Sequence, residues 1–165
     1  MRLAVAAALL LAALPVHADP AAEADAVASC MRDAWPRDPR RLCVGIISTP
    51  CQQDSSGAPS ENLAECLARE ASVWDGVMDQ QMPELMRRAL EIDATNPRSG
   101  DGIDSAAMAL DIAQRAWLTY RDSEYHSAYA SWGAEDFRTI AHAACLLDLT
   151  ARRVVDFQAR LVTGG

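Results

Sequence analysis

Apolar residues recur at helical spacing along most of the chain. Two stripes are long enough to predict amphipathic helices, one from Ser60 over about eight turns and one from about Glu135 to Leu161. The first stripe consists of Leu63, Leu67, Trp74, Val77, Leu85 and Ala89, with Cys66 and Ala71 beside it. The last stripe consists of Phe137, Ile140, Ala144, Leu147, Ala151, Val154 and Leu161.

Capping residues predict where the other helices begin. Asp19-Pro20 and Asp38-Pro39 each combine a preferred N-cap with a proline at the first helical position. We therefore expect a first helix that Pro36 stops near Trp35, and a short second helix through Cys43.

Further breaks are predicted from proline and from polar clusters. Thr49-Pro50 should end the second helix, and Gln52 to Pro59 should form a polar loop. Pro83 should kink or interrupt the long helix near Gln81, because proline removes a backbone donor. Asn96 to Gly102 should form the next loop.

The fourth helix is predicted from a hydrophobic staple. Ile103 precedes a possible N-cap at Asp104, and Met108 follows four residues later. The helix should continue to about Ser131, before Gly133 breaks it.

These elements make the predicted fold class all-α. The only β-branched run, Cys43 to Ile47, is too short to build a sheet. We expect a compact bundle of about four to five helices, with disulfides near its N-terminus.

The first 18 residues resemble a secretory signal peptide. Arg2 is the basic region, residues 3–14 are apolar, and Val16-His17-Ala18 is a suitable cleavage site. The apolar run is too short to span about 30 Å of hydrocarbon. We therefore expect cleavage after Ala18 and a periplasmic or secreted protein of residues 19–165, not inserted in a membrane.

The charge balance is acidic. The chain carries 15 basic and 23 acidic residues, for a net charge of −8. Loss of Arg2 with the signal peptide leaves 14 basic against 23 acidic residues, or −9. Nucleic acid is excluded as a partner because its binding needs a basic face. The acidity either attracts a cationic partner or only keeps the protein dissolved.

All five cysteines follow the predicted cleavage site, and an oxidising compartment favours disulfides. The four disulfide candidates are Cys30, Cys43, Cys51 and Cys66. They allow three pairings, among which a Cys51–Cys66 bridge would stabilise the fold by about 3 kcal/mol. Cys145 is the odd cysteine. No C-x-x-C pair is present and no histidine of the mature chain precedes His126, so we expect no zinc site.

An aromatic and charged stripe on the fourth helix is the main candidate for function. Four residues share one helical face: Trp117, Tyr120, Arg121 and Glu124. They either form core, with Arg121 covering the indole, or leave their polar tips exposed for recognition. Trp74-Asp75 allows the same two interpretations, as a core indole beside a solvated carboxylate or as part of a contact surface.

No catalytic motif competes with this stripe. The chain has no G-x-S-x-G element, and after residue 18 its only imidazoles are His126 and His142. His142 and Cys145 lie three residues apart, but such a pair without further ligands is more often packing. We expect no cofactor, no metal and no enzymatic activity.

Three segments together resemble one protein family. They read E-C-L-A-R-E-A-S-V-W-D at Glu65 to Asp75, A-Q-R-A-W-L-T-Y-R-D at Ala113 to Asp122, and A-A-C-L-L-D-L-T-A-R-R at Ala143 to Arg153. The chain is similar in these to the lysozyme inhibitor LprI-like family of small bacterial envelope proteins. The resemblance implies a compact helical domain, with a family-like core at 60–162 after a cysteine-containing extension at 19–59.

One departure from the family pattern concerns a cysteine. Members commonly carry a cysteine three residues after the aspartate of the R-D pair, able to bridge to the later A-A-C cysteine. This chain has Tyr125 at that position. The resemblance therefore implies that Cys145 is free.

The resemblance implies a protein that binds lysozyme or another muramidase. Two other hypotheses stay open: a structural or stress-related envelope protein, and an enzyme that uses Glu70, Arg121 or Asp122 in a pocket. The oligomeric state stays undetermined. The predicted contact surface comprises Trp74, Asp75, Trp117, Tyr120, Arg121 and Asp122.

Overall fold

A computed structural model describes residues 19–54, 60–95 and 105–163, and these ranges form six helices. The helices are α1 (Pro20–Ala34), α2 (Pro39–Cys43), α3 (Ser48–Asp54), α4 (Ser60–Thr95), α5 (Ala106–Ser131) and α6 (Arg138–Thr163). The described ranges contain no strand, which confirms the all-α class. None of these helices is long and apolar enough to cross a bilayer. The predicted signal peptide and the predicted loop at 96–102 lie outside these ranges.

Helix α4 is the central element. It packs most extensively on α6, and it also contacts α1, α3 and α5. The core forms where these helices meet, around the fully buried side chains of Trp74, Val154 and Phe157. The predicted core positions of α4 from Trp74 to Ala89 are buried, as its apolar spacing indicates.

Proline 83 does not interrupt α4. The helix continues through it to Thr95, so the predicted break near Gln81 is absent. Pro83 is exposed, while Gln81 and Leu85 on either side are buried. Packing on both sides of the proline outweighs the loss of one backbone hydrogen bond.

The two aspartate caps are confirmed. The Asp19 carboxylate accepts a hydrogen bond from the Ala21 amide at 3.0 Å, and α1 ends at Ala34. The Asp38 carboxylate accepts one from the Arg41 amide at 3.0 Å. Both caps act within three residues, which is why the sequence alone reveals them.

Helix α3 corrects a prediction. Thr49-Pro50 does not end a helix but lies in the first turn of one, and residues 52–54 of the predicted loop are helical. Proline fits there because first-turn amides have no partner inside the helix. The Glu70 carboxylate of α4 accepts hydrogen bonds from the Ile47 and Ser48 amides, at 3.3 and 2.7 Å.

Glycine 45 makes this contact with Glu70 possible. Its φ of +100° is a conformation that side chains rarely adopt. Its amide donates to Glu70 at 2.7 Å. A Cβ at this position would lie 2.9 Å from the Thr49 hydroxyl oxygen. Residue 45 must therefore be glycine for the chain to wrap around the carboxylate.

The start of α5 also differs from the prediction. Its N-cap is Ser105, whose hydroxyl accepts from the Met108 amide at 3.2 Å; the proposed cap Asp104 lies outside the described residues. The Asp93 carboxylate of α4 accepts from the Ala106 amide at 2.7 Å. Like Glu70, Asp93 thus satisfies the amino end of another helix. The predicted end of α5 at Ser131 is confirmed.

Helix α6 begins later than predicted, at Arg138 and not near Glu135. Phe137 therefore precedes the helix and is exposed, although the apolar stripe placed it in the core. Leu147, Ala151 and Val154 of the same stripe are buried as expected.

Two disulfides fix the N-terminal part. Cys30 is bonded to Cys43, and Cys51 to Cys66. They join α1 to α2 and α3 to α4. Cys145 is free, as the resemblance implies, and is partly buried on α6. Burial and the nearby carboxylates of Glu124 and Asp148 raise the pKa of its thiol.

Candidate binding surface

Helix α5 is the most exposed of the long helices. Leu110 is its only buried residue. Its apolar side chains are spread around the helix, so one narrow edge packs on α6 and α4 while the rest faces solvent. The stripe predicted from Trp117 to Glu124 lies on this helix.

Arginine 121 joins α5 to α4. Its Nη1 lies 2.6 Å from Oδ1 of Asp75, and its Nε lies 3.3 Å from Oδ1 of Asp122. The guanidinium carbon is 5.2 Å from the centre of the Trp117 ring. Only 14% of the Arg121 side chain is exposed. The guanidinium is thus enclosed by two carboxylates and an indole, and it presents little charge to solvent.

A second guanidinium lies against Trp117. Arg153 of α6 is 5.4 Å from the indole and 4.7 Å from the Phe157 ring, and it donates to the Gln114 amide oxygen at 3.0 Å. Its Nη2 is buried without a hydrogen-bond partner in the described part of the chain. Burial, aided by the charge of Arg160, lowers the pKa of Arg153. Trp117 is therefore a half-buried link between α5 and α6.

The predicted contact residues divide into accessible and enclosed groups. Tyr120 is 51% exposed, and the side chains of Asp122 and Asp75 are 53% and 44% exposed. Trp74 is fully buried, and its indole donates to Glu70 at 3.1 Å. The prediction of Trp74 as a contact residue is therefore wrong, because this side chain lies in the core. Tyr120, Asp122 and Asp75 are thus accessible at the surface, and Arg121 forms ion pairs with the two carboxylates.

A cavity of about 200 Å³ lies beside the Arg121–Asp75 pair. Ser72 and Thr150 also line it. The Thr150 hydroxyl is buried and has no hydrogen-bond partner among the described residues. The cavity is polar enough to hold ordered water, which would satisfy this hydroxyl.

The three residues of the enzyme hypothesis do not share a pocket. Glu70 has no exposed surface, and its two oxygens accept four hydrogen bonds, from three backbone amides and the Trp74 indole. Arg121 is paired with Asp75 and Asp122, and the Asp122 side chain is about half exposed. The described residues likewise bring no three histidine, cysteine or acidic side chains together as metal ligands.

One exposed pair was not anticipated from the sequence. Trp132 and Phe137 lie on either side of Gly133, between α5 and α6, with ring centroids 4.7 Å apart. The available signal was two aromatic residues that flank a helix-breaking glycine and two acidic residues. Phe137 also fits the spacing of the last stripe, which predicts a core position for it and obscures this signal.

Fold and surface together define a disulfide-bonded helical protein whose helix α5 is largely exposed. Comparison with protein families gives this class a name: the family described as Lysozyme inhibitor LprI matches residues 51–157, well over half of the 165-residue chain. The protein belongs to the LprI family. No curated protein and no solved structure matches the chain.

Proposed function

We propose that this protein is an exported binding module that inhibits a cationic peptidoglycan glycosidase, a lysozyme or another muramidase, by occupying its cleft. The observation that carries the proposal is the LprI match over residues 51–157, since that family is described by lysozyme inhibition. The predicted signal peptide supports export to the compartment where such enzymes act.

The distribution of charge on α5 supports a cationic partner. Arg121 of α5 and Arg153 of α6 are largely enclosed. Arg115 of α5 is exposed but forms an ion pair with Asp111. The carboxylates of Asp75 and Asp122 are about half exposed. With a net charge of −8, the protein would attract a basic enzyme and accelerate its association.

An inhibition assay tests the proposal. The purified protein should slow the lysis of a peptidoglycan suspension by lysozyme, more strongly at low salt than at high salt, because salt screens exposed charges. The Tyr120→Ala/Asp122→Asn variant should inhibit about tenfold less, because it loses an exposed ring and a rim charge.

The control is Asp33→Asn, which removes one exposed charge from α1, outside the family match. It should inhibit like the unchanged protein. No inhibition at micromolar concentration would end the proposal. Capture of a structural envelope protein from the same bacterium in its place would support the alternative, an envelope interaction protein without inhibitory activity.

A further inference from the structure

The turn between α5 and α6 presents two large rings to solvent. We call residues 132–137, all of them exposed, the tip. Trp132 is 45% exposed and Phe137 is 47% exposed, and their rings are inclined by 57°. Exposed neighbouring rings of this size are unfavourable in water unless a partner covers them.

Backbone hydrogen bonds stabilise the turn that forms the tip. The Gly133 amide donates to the Ala130 carbonyl at 3.1 Å, and the glycine has a φ of +56°, which reverses the chain. The Glu135 amide donates to the Trp132 carbonyl at 3.1 Å. A partner would therefore bind a preformed turn and lose little conformational entropy in ordering it.

The tip is anionic as well as aromatic. Glu135 and Asp136 lie between the two rings in sequence and are exposed. The neighbouring cation, Arg138, is directed back toward α5: it lies 5.1 Å from the Tyr129 ring and donates to the Gly133 carbonyl at 3.3 Å. The outer surface of the tip thus combines two rings with two carboxylates.

We propose that the tip is the element that enters the substrate cleft of the cationic glycosidase; this inference rests on the proposed function above. A glycosidase cleft is concave and lined by groups that contact sugar rings. The convex Trp132–Phe137 pair matches that shape, and Glu135 and Asp136 can reach basic residues at the rim. Aromatic side chains that become buried when an interface forms often contribute most of its binding energy.

The same features favour an enzyme over the glycan itself as the partner. Two rings inclined by 57° on a convex turn do not form the flat platform on which a sugar chain stacks. The peptide stems of peptidoglycan carry carboxylates, and the carboxylates of Glu135 and Asp136 would repel them.

The test compares the full protein with two tip variants, Trp132→Ala/Phe137→Ala and Glu135→Gln/Asp136→Asn. Affinity is measured for a basic lysozyme, with and without a chito-oligosaccharide that fills its cleft. The ring variant should bind at least tenfold more weakly. The charge variant should bind several-fold more weakly, and mainly at low salt. The oligosaccharide should compete with the unchanged protein.

The control for the rings is Ile112→Ala on α5, which also shortens an exposed apolar side chain, 54% exposed. Thermal unfolding confirms that each variant folds. If the unchanged protein binds and inhibits but the ring variant matches Ile112→Ala, the tip is not the cleft element while the proposed function stands. If the unchanged protein binds no lysozyme, both proposals fail. Ring-dependent pelleting with peptidoglycan alone would show that the glycan is the partner and overturn the inference.

Discussion

At the scale of single residues, Glu70 is the most consequential polar group. It is fully buried, yet both of its oxygens are hydrogen-bonded, to the indole of Trp74 and to amides before and at the start of α3. A buried carboxylate is tolerated only when its acceptors are satisfied in this way. Glu70 therefore fixes the path of residues 45–48 as much as any apolar contact does.

Replacing Glu70 tests this role. Glu70→Gln should lower the free energy of unfolding by about 3 kcal/mol, because an amide NH₂ would face backbone donors that an oxygen now satisfies. Urea denaturation measures the change. Glu65→Gln, at an exposed position of the same helix, should alter stability by less than about 0.5 kcal/mol. Equal effects of the two substitutions would contradict the role assigned to Glu70.

His142 should make the stability of the fold depend on pH. It lies 4.6 Å from the Tyr125 ring and 5.9 Å from the Tyr129 ring, and 6.0 Å from His126, measured between ring centroids. Burial, with a smaller contribution from His126, lowers the pKa of His142 below its ordinary value of 6.5. The unfolded chain therefore binds a proton more readily than the folded protein does.

Its contribution to stability should accordingly fall as the pH drops below about 6.5, and level off below the lowered pKa. Unfolding midpoints at pH 7.5 and 5.5 should differ more for the unchanged protein than for His142→Gln. Since the carboxylates are the same in both proteins, the difference isolates His142. An equal or larger pH effect in the variant would refute the assignment.

At the scale of elements, helix starts that depend on neighbouring residues could be predicted from the sequence, whereas those that depend on residues far along the chain could not. The caps of α1 and α2 act within three residues, and the sequence shows them directly. The start of α3 depends on Glu70, more than twenty residues later, so its sequence resembles a helix end. The residues of the predicted stripe all lie on α5, but which of their polar tips reach solvent depends on Asp75 and Arg153, from other helices.

The disulfide between α3 and α4 should stabilise the folded protein. Cys51 and Cys66 are 15 residues apart, and a loop of that length corresponds to about 3 kcal/mol in the chain-entropy model. The Cys51→Ala/Cys66→Ala variant should therefore lose about that much stability in urea denaturation. Cys145→Ala, which removes no bridge, should lose about 1 kcal/mol or less. A loss for the double variant no larger than this would show that the bridge adds no stability.

At the scale of the whole molecule, α4 contacts helices that precede it and helices that follow it in the chain. It supplies Trp74 to the core, Glu70 to the start of α3 and Asp93 to the start of α5. The sequence predicted the all-α class and the long α4 correctly. It did not predict that two carboxylates of α4 would serve as caps for other helices, because such pairing is visible only after the helices have packed.

The distance between the two proposed contact areas sets the smallest interface that can include both of them. Tyr120 and Trp132 are 12 positions apart, which is about 18 Å along a helix axis. An ordinary protein interface covers about 800 Å² on each side, a patch wider than that span. A single docked molecule can therefore cover α5 and the turn at its end simultaneously, which a free monosaccharide is too small to do.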